Sequence, residues 1–405
     1  MPAQREVALR AGARVLELSL FEPPSDGELK ILFRKSRAWF LPCGSVTQGA
    51  LEFVAKLEAF SRARGLGPRP PLIVATSGEG AKGSLFLTGH RSILRCGDRV
   101  LVACEAEAAL LRRSFPRGLD IEVVPLPVVT PRERPTSSRV FQKTSTRLIT
   151  GWSPRLLYAG RLSEQKNVHL LLEAFARVRS VHPRAELRIA GGVDGLGSPH
   201  FGRGPRENYA TWLAQRTAQL GLSRSVQYLG AVSQRELLRL HRRCDLQVSL
   251  TTHFGEDFGY AIAQGVCAGA PAVVTAWGGG LDFIRAGAAL GVPVHFGASG
   301  PEVRVEEAAE VMLRALEPSM RQTLRRSALT LADRALRTDS ARVIARWKRL
   351  LRVPASPNEH AVVVSPEALR FYRKQRAHWK KGRPLFAGEH DRAYRRICRA
   401  YLGAY

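Results

Sequence analysis

Between residues 155 and 320, short apolar runs alternate with longer stretches whose apolar residues recur every three or four positions. Leu156-Leu157-Tyr158-Ala159 is a strand-length run ending at Gly160, and Asn167 to Val181 follows with Leu171, Phe175 and Val178 at helical spacing. Leu187-Arg188-Ile189-Ala190 stops at Gly191-Gly192, residues 194 to 205 read as a loop rich in glycine and proline, and Arg206 to Leu220 reads as a helix closed by Gly221. Val226 to Leu229 and Leu246 to Leu250 are strands, with a capping box at Ser233 and Glu236 opening the helix between them. Phe258 to Ala268 reads as a helix, Ala272 to Thr275 as a strand and Val292 to Phe296 as a weaker one. Ser299-Gly300-Pro301-Glu302 should open another helix with proline at its first position. Strand-helix alternation with short connections predicts a parallel sheet covered by helices on both faces, with ligands at the carboxyl ends of its strands.

The first third repeats the pattern less regularly. Candidate strands are Val15 to Leu20, Ala38 to Leu41, Leu72 to Thr76, Val100 to Ala103 and Ile121 to Val124, with helical patterns at Gly49 to Arg64 and Glu105 to Ser114. Residues 130 to 154 are rich in proline, serine, threonine and charge, as a linker is. The expected organisation is an N-terminal domain over 1–129, a linker over 130–154, a second domain over 155–332 and a basic, partly helical tail over 333–405, packed back across the domains. No short-period repeat is present.

Composition narrows the class. The chain of 405 residues is 45% hydrophobic, ordinary for a globular protein, and has no apolar run of membrane-spanning length. Its basic start lacks a long apolar core and a cleavage site, so no signal peptide is read there. Cys43, Cys96, Cys104, Cys244, Cys267 and Cys398 form no C-x-x-C pair and no Cys/His cluster with zinc spacing, so they read as small hydrophobes in a reducing cytoplasm, and no metal site is expected. The formal charge of +27 leaves three readings open: arginines solvated over the whole surface, attraction to an anionic membrane or a diphosphate-bearing lipid, and nucleic-acid binding. The last is disfavoured, because the basic residues are spread through amphipathic segments instead of one stripe with interleaved aromatics. Arg373, Lys374, Arg376, Lys380, Lys381 and Arg383 make the tail the candidate for peripheral contact with anionic lipid. Its aromatic residues, Trp347, Phe371, Tyr372, Trp379 and Tyr394, fit helix packing better than membrane contact.

Two groups of residues suggest chemistry. Arg161 follows Gly160 directly and Lys166 comes five residues later, which puts two cations in one loop at the sheet's carboxyl edge, the arrangement a diphosphate needs; two ordinary surface cations are the competing reading. In Glu256-Asp257-Phe258-Gly259-Tyr260-Ala261-Ile262-Ala263-Gln264, the carboxylate and the amide are eight residues apart and return to one helical face at about 100° per residue. An ordinary helix with a polar start is the alternative there.

Gly160-Arg161-Leu162 with Lys166-Asn167, then Gly191-Gly192, then Glu256-x-Phe258-Gly259 and Gly269-x-Pro271, resembles the donor half of retaining glycosyltransferases of the GT-B architecture, most of all glycosyltransferase family 4. The resemblance covers residues 155 to 320. It implies an α/β fold of two Rossmann-like, doubly wound domains facing a central cleft, with a C-terminal helical tail. It implies sugar transfer from a nucleotide diphosphate donor to a hydroxyl acceptor in a glycan or lipid-linked glycan, without metal or other cofactor and with retention at the anomeric carbon. Arg161, Lys166 and Glu256 would carry the chemistry. Gly160, Gly191, Gly192, His253, Asp257, Phe258, Gly259, Tyr260 and Gln264 would line the donor, and Gly278-Gly279-Gly280 with Asp282 would lie near its pocket. Two departures stand out. Gln264 occupies the place of a glutamate that binds the nucleotide ribose, and an amide accepts through one uncharged oxygen. The first domain is short, lacks an evident glycine-rich loop after its first strand, and runs from Leu72–Thr76 into Ser77-Gly78-Glu79 where relatives place a histidine; His90 is a nearby alternative. A catalytically degenerate relative that binds a nucleotide sugar or supports a partner transferase is the alternative reading.

Overall fold

A computed structural model describes residues 2–14, 24–42, 47–76, 86–129, 152–194, 207–253, 255–352, 358–379, 381–384, 386–388 and 390–402. The expected strand at 15–20, the segment 77–79, most of the linker and most of the 194–205 loop lie outside these residues. The chain divides into two compact units: residues 1–127 with 254–258 and 341–404, and residues 128–253 with 259–340. Residues 341–404 of the expected tail thus group with the first unit.

The first unit is built on strands β1 (Trp39–Pro42), β2 (Leu72–Thr76), β4 (Arg99–Val102) and β5 (Asp120–Val123), all parallel in the order β1-β2-β4-β5, with the short β3 (Arg95–Cys96) just before β4. Side chains alternate across the sheet. Leu72, Val74, Val100 and Val102 pack on one face with Leu51, Val54 and Leu111, whereas Ile73, Ala75 and Leu101 pack on the other with Val7, Val343, Trp347 and Leu350. Burial on both faces explains why these strands read as unbroken apolar runs. The second face is covered by Pro2–Arg10 and Ala341–Leu350, helices from opposite ends of the chain. The fully buried Arg69 guanidinium donates to both oxygens of Asp98, at 2.9 and 2.7 Å, and Asp98 also accepts from the amides of Leu72 and Arg95, at 2.8 Å each. Each Asp98 oxygen thus accepts two hydrogen bonds, the compensation a buried carboxylate requires, and the pair fixes the starts of β2 and β4.

The second unit holds a six-stranded parallel sheet of β6 (Arg155–Ala159), β7 (Glu186–Ala190), β8 (Val226–Gly230), β9 (Leu246–Ser249), β10 (Ala272–Thr275) and β11 (Ala289–Val292), in the order β11-β10-β9-β6-β7-β8. The chain winds outward from β6 through β7 and β8, returns to β9 beside β6, and winds the other way. The topological switch point of this doubly wound sheet therefore lies between β6 and β9. Helices fill the expected intervals at Val168–Val181, Tyr209–Gln219 and Gln234–Arg243. Ser233 caps the last of these by accepting from the Glu236 amide at 3.2 Å.

Three expectations change. Pro293 breaks the strand expected over Val292 to Phe296, because proline has no N–H for a ladder; β11 ends at Val292 and β12 (His295–Gly297) begins anew. Residues 300–302 are strand β13 (Gly300–Glu302), paired antiparallel to β12 with Gly297 opposite Gly300, and the next helix starts at Val305. Two glycines flanking a two-residue connection favour a hairpin over a helix start. Proline does open a helix, at Pro318–Leu331. Finally, the helix expected from Phe258 begins at Tyr260 and ends at Cys267, with Gly259 left-handed at φ 70°, ψ 58°. After Val305–Leu316 and Pro318–Leu331 the chain returns to the first unit, where β14 (Asn358–Ala361) pairs antiparallel with β3 and the helices Pro366–Trp379 and Arg392–Cys398 follow. Trp347 and Tyr394 are buried there in contacts with other side chains. No helix among the described residues is long and apolar enough to cross a membrane.

Candidate functional site

The loops that follow β6 and β7 are laced together beyond the ends of their strands. Gly160 donates to the Ala190 carbonyl at 2.9 Å, Leu162 to that of Gly192 at 2.8 Å, and Asp194 to that of Leu162 at 3.0 Å. The close approach requires glycine at 191, where φ is +148° and a Cβ would lie 1.8 Å from the Gly160 carbonyl oxygen. The buried Tyr158 hydroxyl donates to the Arg161 carbonyl at 2.7 Å and steadies the turn. These contacts bring Arg161 to Asp194, whose carboxylate accepts from Nη1 at 2.6 Å. The Asp194 side chain is 2% exposed and that of Arg161 47%, so a buried anion anchors a cation that still faces solvent. A guanidinium has five N–H donors, and this contact occupies one.

Lys166 ends the short 3₁₀ turn Glu164–Lys166 between two residues that tie this loop to the one after β9. Asn167 is left-handed at φ 52°, ψ 37°, and its amide nitrogen donates to the Leu250 carbonyl at 2.8 Å and to the Thr252 hydroxyl at 3.1 Å. The Gln165 carbonyl accepts from the Thr251 hydroxyl at 3.3 Å and from the Thr252 amide at 3.4 Å. On the other side, the Thr275 hydroxyl donates to the Thr251 carbonyl at 2.6 Å, and the buried Trp277 indole donates to the His253 carbonyl at 2.9 Å. The carboxyl ends of β6, β9 and β10 are thus joined by side-chain bonds at the switch point, with Arg161 and Lys166 in the first of these loops.

The other expected site residues follow β9. His253 is half-buried and its backbone is engaged by Thr251 and Trp277. Glu256 is half-buried, while Asp257 and Phe258 are buried; these three group with the first unit, although their chain neighbours His253 and Gly259 belong to the second. Tyr260 is exposed at the start of its helix, where the first intrahelical bond runs from Ala263 to Gly259 at 3.0 Å. The amides of Tyr260, Ala261 and Ile262 precede that bond and give the helix start its positive end. Gln264 donates through Nε2 to Gln234 Oε1 at 2.7 Å, which ties it to the start of the Gln234–Arg243 helix. Gly192 is exposed in the loop after β7. Gly280 packs where a Cβ would meet the Thr275 carbonyl at 2.4 Å, and Asp282 accepts from Arg285 at 3.0 Å. His90 lies in the first unit, its Nδ1 within 2.9 Å of the Phe86 carbonyl. The sequence reading passed over Asp194, Thr251 and Trp277 and gave Asn167 no role of its own. Two signals were present: a carboxylate two residues past the glycine pair, and an asparagine before a helix, a residue tolerant of the left-handed region.

Residues 146–328 match the family described as glycosyl transferases group 1. Among curated proteins, glycogen synthase of Mycobacterium tuberculosis is 33% identical over 124 residues, 31% of this chain and 26% of that protein. D-inositol 3-phosphate glycosyltransferase of Stackebrandtia nassauensis is 27% identical over 207 residues, 48% of this chain and 42% of that protein. The aligned region therefore spans less than half the length of either relative. Among solved structures, Anabaena HepE in complex with UDP and glucose aligns at TM-score 0.54 and 17% identity over 80% of this chain and 79% of that one. Sucrose-phosphate synthase from Thermosynechococcus elongatus aligns at TM-score 0.52 and 18% identity over 76% of this chain and 78% of that one. Two parallel-sheet units, the second wound about a switch point that carries the glycine, arginine and lysine of the expected motif, agree with these likenesses: the chain has the GT-B fold, and its residues 146–328 match glycosyl transferases group 1.

Proposed function

We propose that this protein transfers a sugar from a nucleotide diphosphate donor to a hydroxyl acceptor, with retention at the anomeric carbon. The observation that carries the reading is the pair of cations at the switch point, Arg161 anchored by buried Asp194 and Lys166 flanked by the bonds of Gln165 and Asn167 to the loop after β9. In this reading Arg161 and Lys166 bind the donor diphosphate and stabilise the charge that gathers on it as the bond from the anomeric carbon breaks. The acceptor oxygen forms its bond on the same face, and its proton passes to the departing phosphate oxygen. The cations do the work a divalent metal does elsewhere, so the reaction runs without one. Glu256 contacts the donor sugar, with Asp257 and Phe258 supporting its loop. The helix start at Gly259 and Tyr260 adds amides near the phosphates. Gln264 replaces a carboxylate at the nucleotide ribose and, being held by Gln234, gives one neutral acceptor there. The uridine diphosphate in the HepE complex supports trying UDP-sugars first.

The replacement at Gln264 favours a second reading, a chain that binds a nucleotide sugar without transferring it. One experiment separates the two. The purified protein is incubated with radiolabelled UDP-glucose, UDP-galactose, UDP-N-acetylglucosamine and GDP-mannose, and bound label is measured alongside released sugar. Slow hydrolysis of one donor in the absence of acceptor is the expected result. Saturable binding with no release, even with inositol phosphate and glucan acceptors present, would establish the second reading. Absence of both binding and release across the panel would remove the donor assignment.

A further inference from the structure

The first unit contains a groove of about 550 Å³, formed where the Pro366–Trp379 helix passes the turn at residues 89–92. Three guanidinium-bearing residues line it, Arg91, Arg373 and Arg376, together with the hydroxyl-bearing Ser92 and Tyr372. No aspartate or glutamate is among the lining residues. Other arginines face carboxylates: Arg69 meets Asp98, Arg99 meets Asp120, Arg161 meets Asp194 and Arg216 meets Glu173. Arg373 and Arg376 pair with no described residue and stand one helical turn apart, a spacing at which like charges repel. Arg91 is steadied by a bond from Nη1 to the Thr88 carbonyl at 3.2 Å.

The groove is also shaped. The Tyr372 ring lies against Gly89 so closely that a Cβ there would meet Cε2 at 2.8 Å and the hydroxyl oxygen at 3.0 Å. Glycine at 89 lets the ring form a wall without filling the space. Val362 and Leu369 add an apolar patch. The helix follows β14, which pairs with β3 just ahead of the amino end of β4, so the groove is not part of the carboxyl edge where α/β sheets hold their substrates.

We propose that this groove binds a small soluble phosphate monoester. Planar guanidinium forks match the oxygens of a phosphate, and three of them suit a dianion better than a single carboxylate. The volume falls within the range of small-molecule sites and exceeds what an inorganic ion fills, while the tyrosine ring and the apolar patch accept the organic body. The inference is independent of the donor reading.

Glucose 6-phosphate is the probe, titrated calorimetrically into the full-length chain at fixed ionic strength. The Arg161→Ala, Lys166→Ala double variant removes the donor-loop cations, and it binds the probe as the wild type does. Arg373→Gln with Arg376→Gln weakens binding at least tenfold, and Gly89→Ala, whose Cβ displaces the Tyr372 ring that forms the wall, weakens it as well. Arg370→Gln with Lys374→Gln, on the same helix but outside the lining, leaves it within twofold, and glucose does not bind. The proposal is overturned by unchanged affinity in the Arg373→Gln, Arg376→Gln variant, by loss of binding in the donor-loop variant, or by an equal loss in the Arg370→Gln, Lys374→Gln variant. Failure of the wild type to bind the probe overturns it too; if phosphatidylglycerol vesicles then sediment the wild type but not the Arg373→Gln, Arg376→Gln variant, these arginines serve a lipid surface.

Discussion

The two units solve the same problem, a parallel sheet covered on both faces, with different use of the chain. The second draws its sheet from one stretch, residues 155 to 292, with its helices in the intervals between the strands. The first covers one face of β2 and β4 with Pro2–Arg10 and Ala341–Leu350, from opposite chain ends, and extends β3 with β14. Local contacts can form early and at small entropic cost, whereas contacts between distant segments require closure of a long loop. The comparison teaches that the two cations of the candidate donor site depend on neighbouring loops of the second unit, whereas Glu256 groups with the first, the unit that depends on residues 341–404 to be complete.

Three measurements sharpen or break that contrast. Trp347→Ala removes an indole buried on the first sheet's second face, and large cavities of this kind cost roughly 3–5 kcal/mol. Calorimetry should show the first unit melting earlier while the second keeps its transition; an equal shift of both would mean that they unfold as one. Lys166→Ala should lower transfer or donor hydrolysis by about 10²–10³-fold, the usual effect of deleting one charge-stabilising donor. Unfolding by urea should be unchanged, and near-normal turnover would take Lys166 out of the phosphate contact. The smallest effect concerns His241, which is 1% exposed with no hydrogen-bond partner for either ring nitrogen among the described residues. Burial lowers its pKa from 6.5 to about 4. The unfolded chain takes up this proton first, so the second unit has its full stability above about pH 6.5 and loses some as the pH falls towards 4, by roughly 1–3 kcal/mol. His241→Leu should flatten this part of the pH dependence, and an identical slope in wild type and variant would show that histidine to be unimportant for it.

Strand and helix positions were legible in both units. Leu72–Thr76 and Glu105–Ser114 coincide with their expected limits, because apolar runs and helical periodicity are local properties. The expected helix at 299–302 misread a proline that sits in a hairpin, where the flanking glycines outweighed its helix-starting preference. The glycine, arginine and lysine of the loop after β6 were also legible, since their spacing is short. The bonds that hold them were not. Asp194, Thr251 and Trp277 matter through pairings between loops, and Gln264 meets Gln234 across thirty positions, which no local pattern encodes. The groove beside Pro366–Trp379 was illegible for the same reason: Arg373 and Arg376 read as part of a basic tail, and nothing local joins them to Arg91.

The helix Ala341–Leu350 has a consequence for synthesis. On the ribosome, residues 128–340 emerge before it does, so the second unit can close while Ile73, Ala75 and Leu101 of the first still expose an uncovered apolar face. Nascent chains arrested near residue 340 should therefore recruit chaperones at the earlier-made unit, and release from them should await emergence of the Ala341–Leu350 helix.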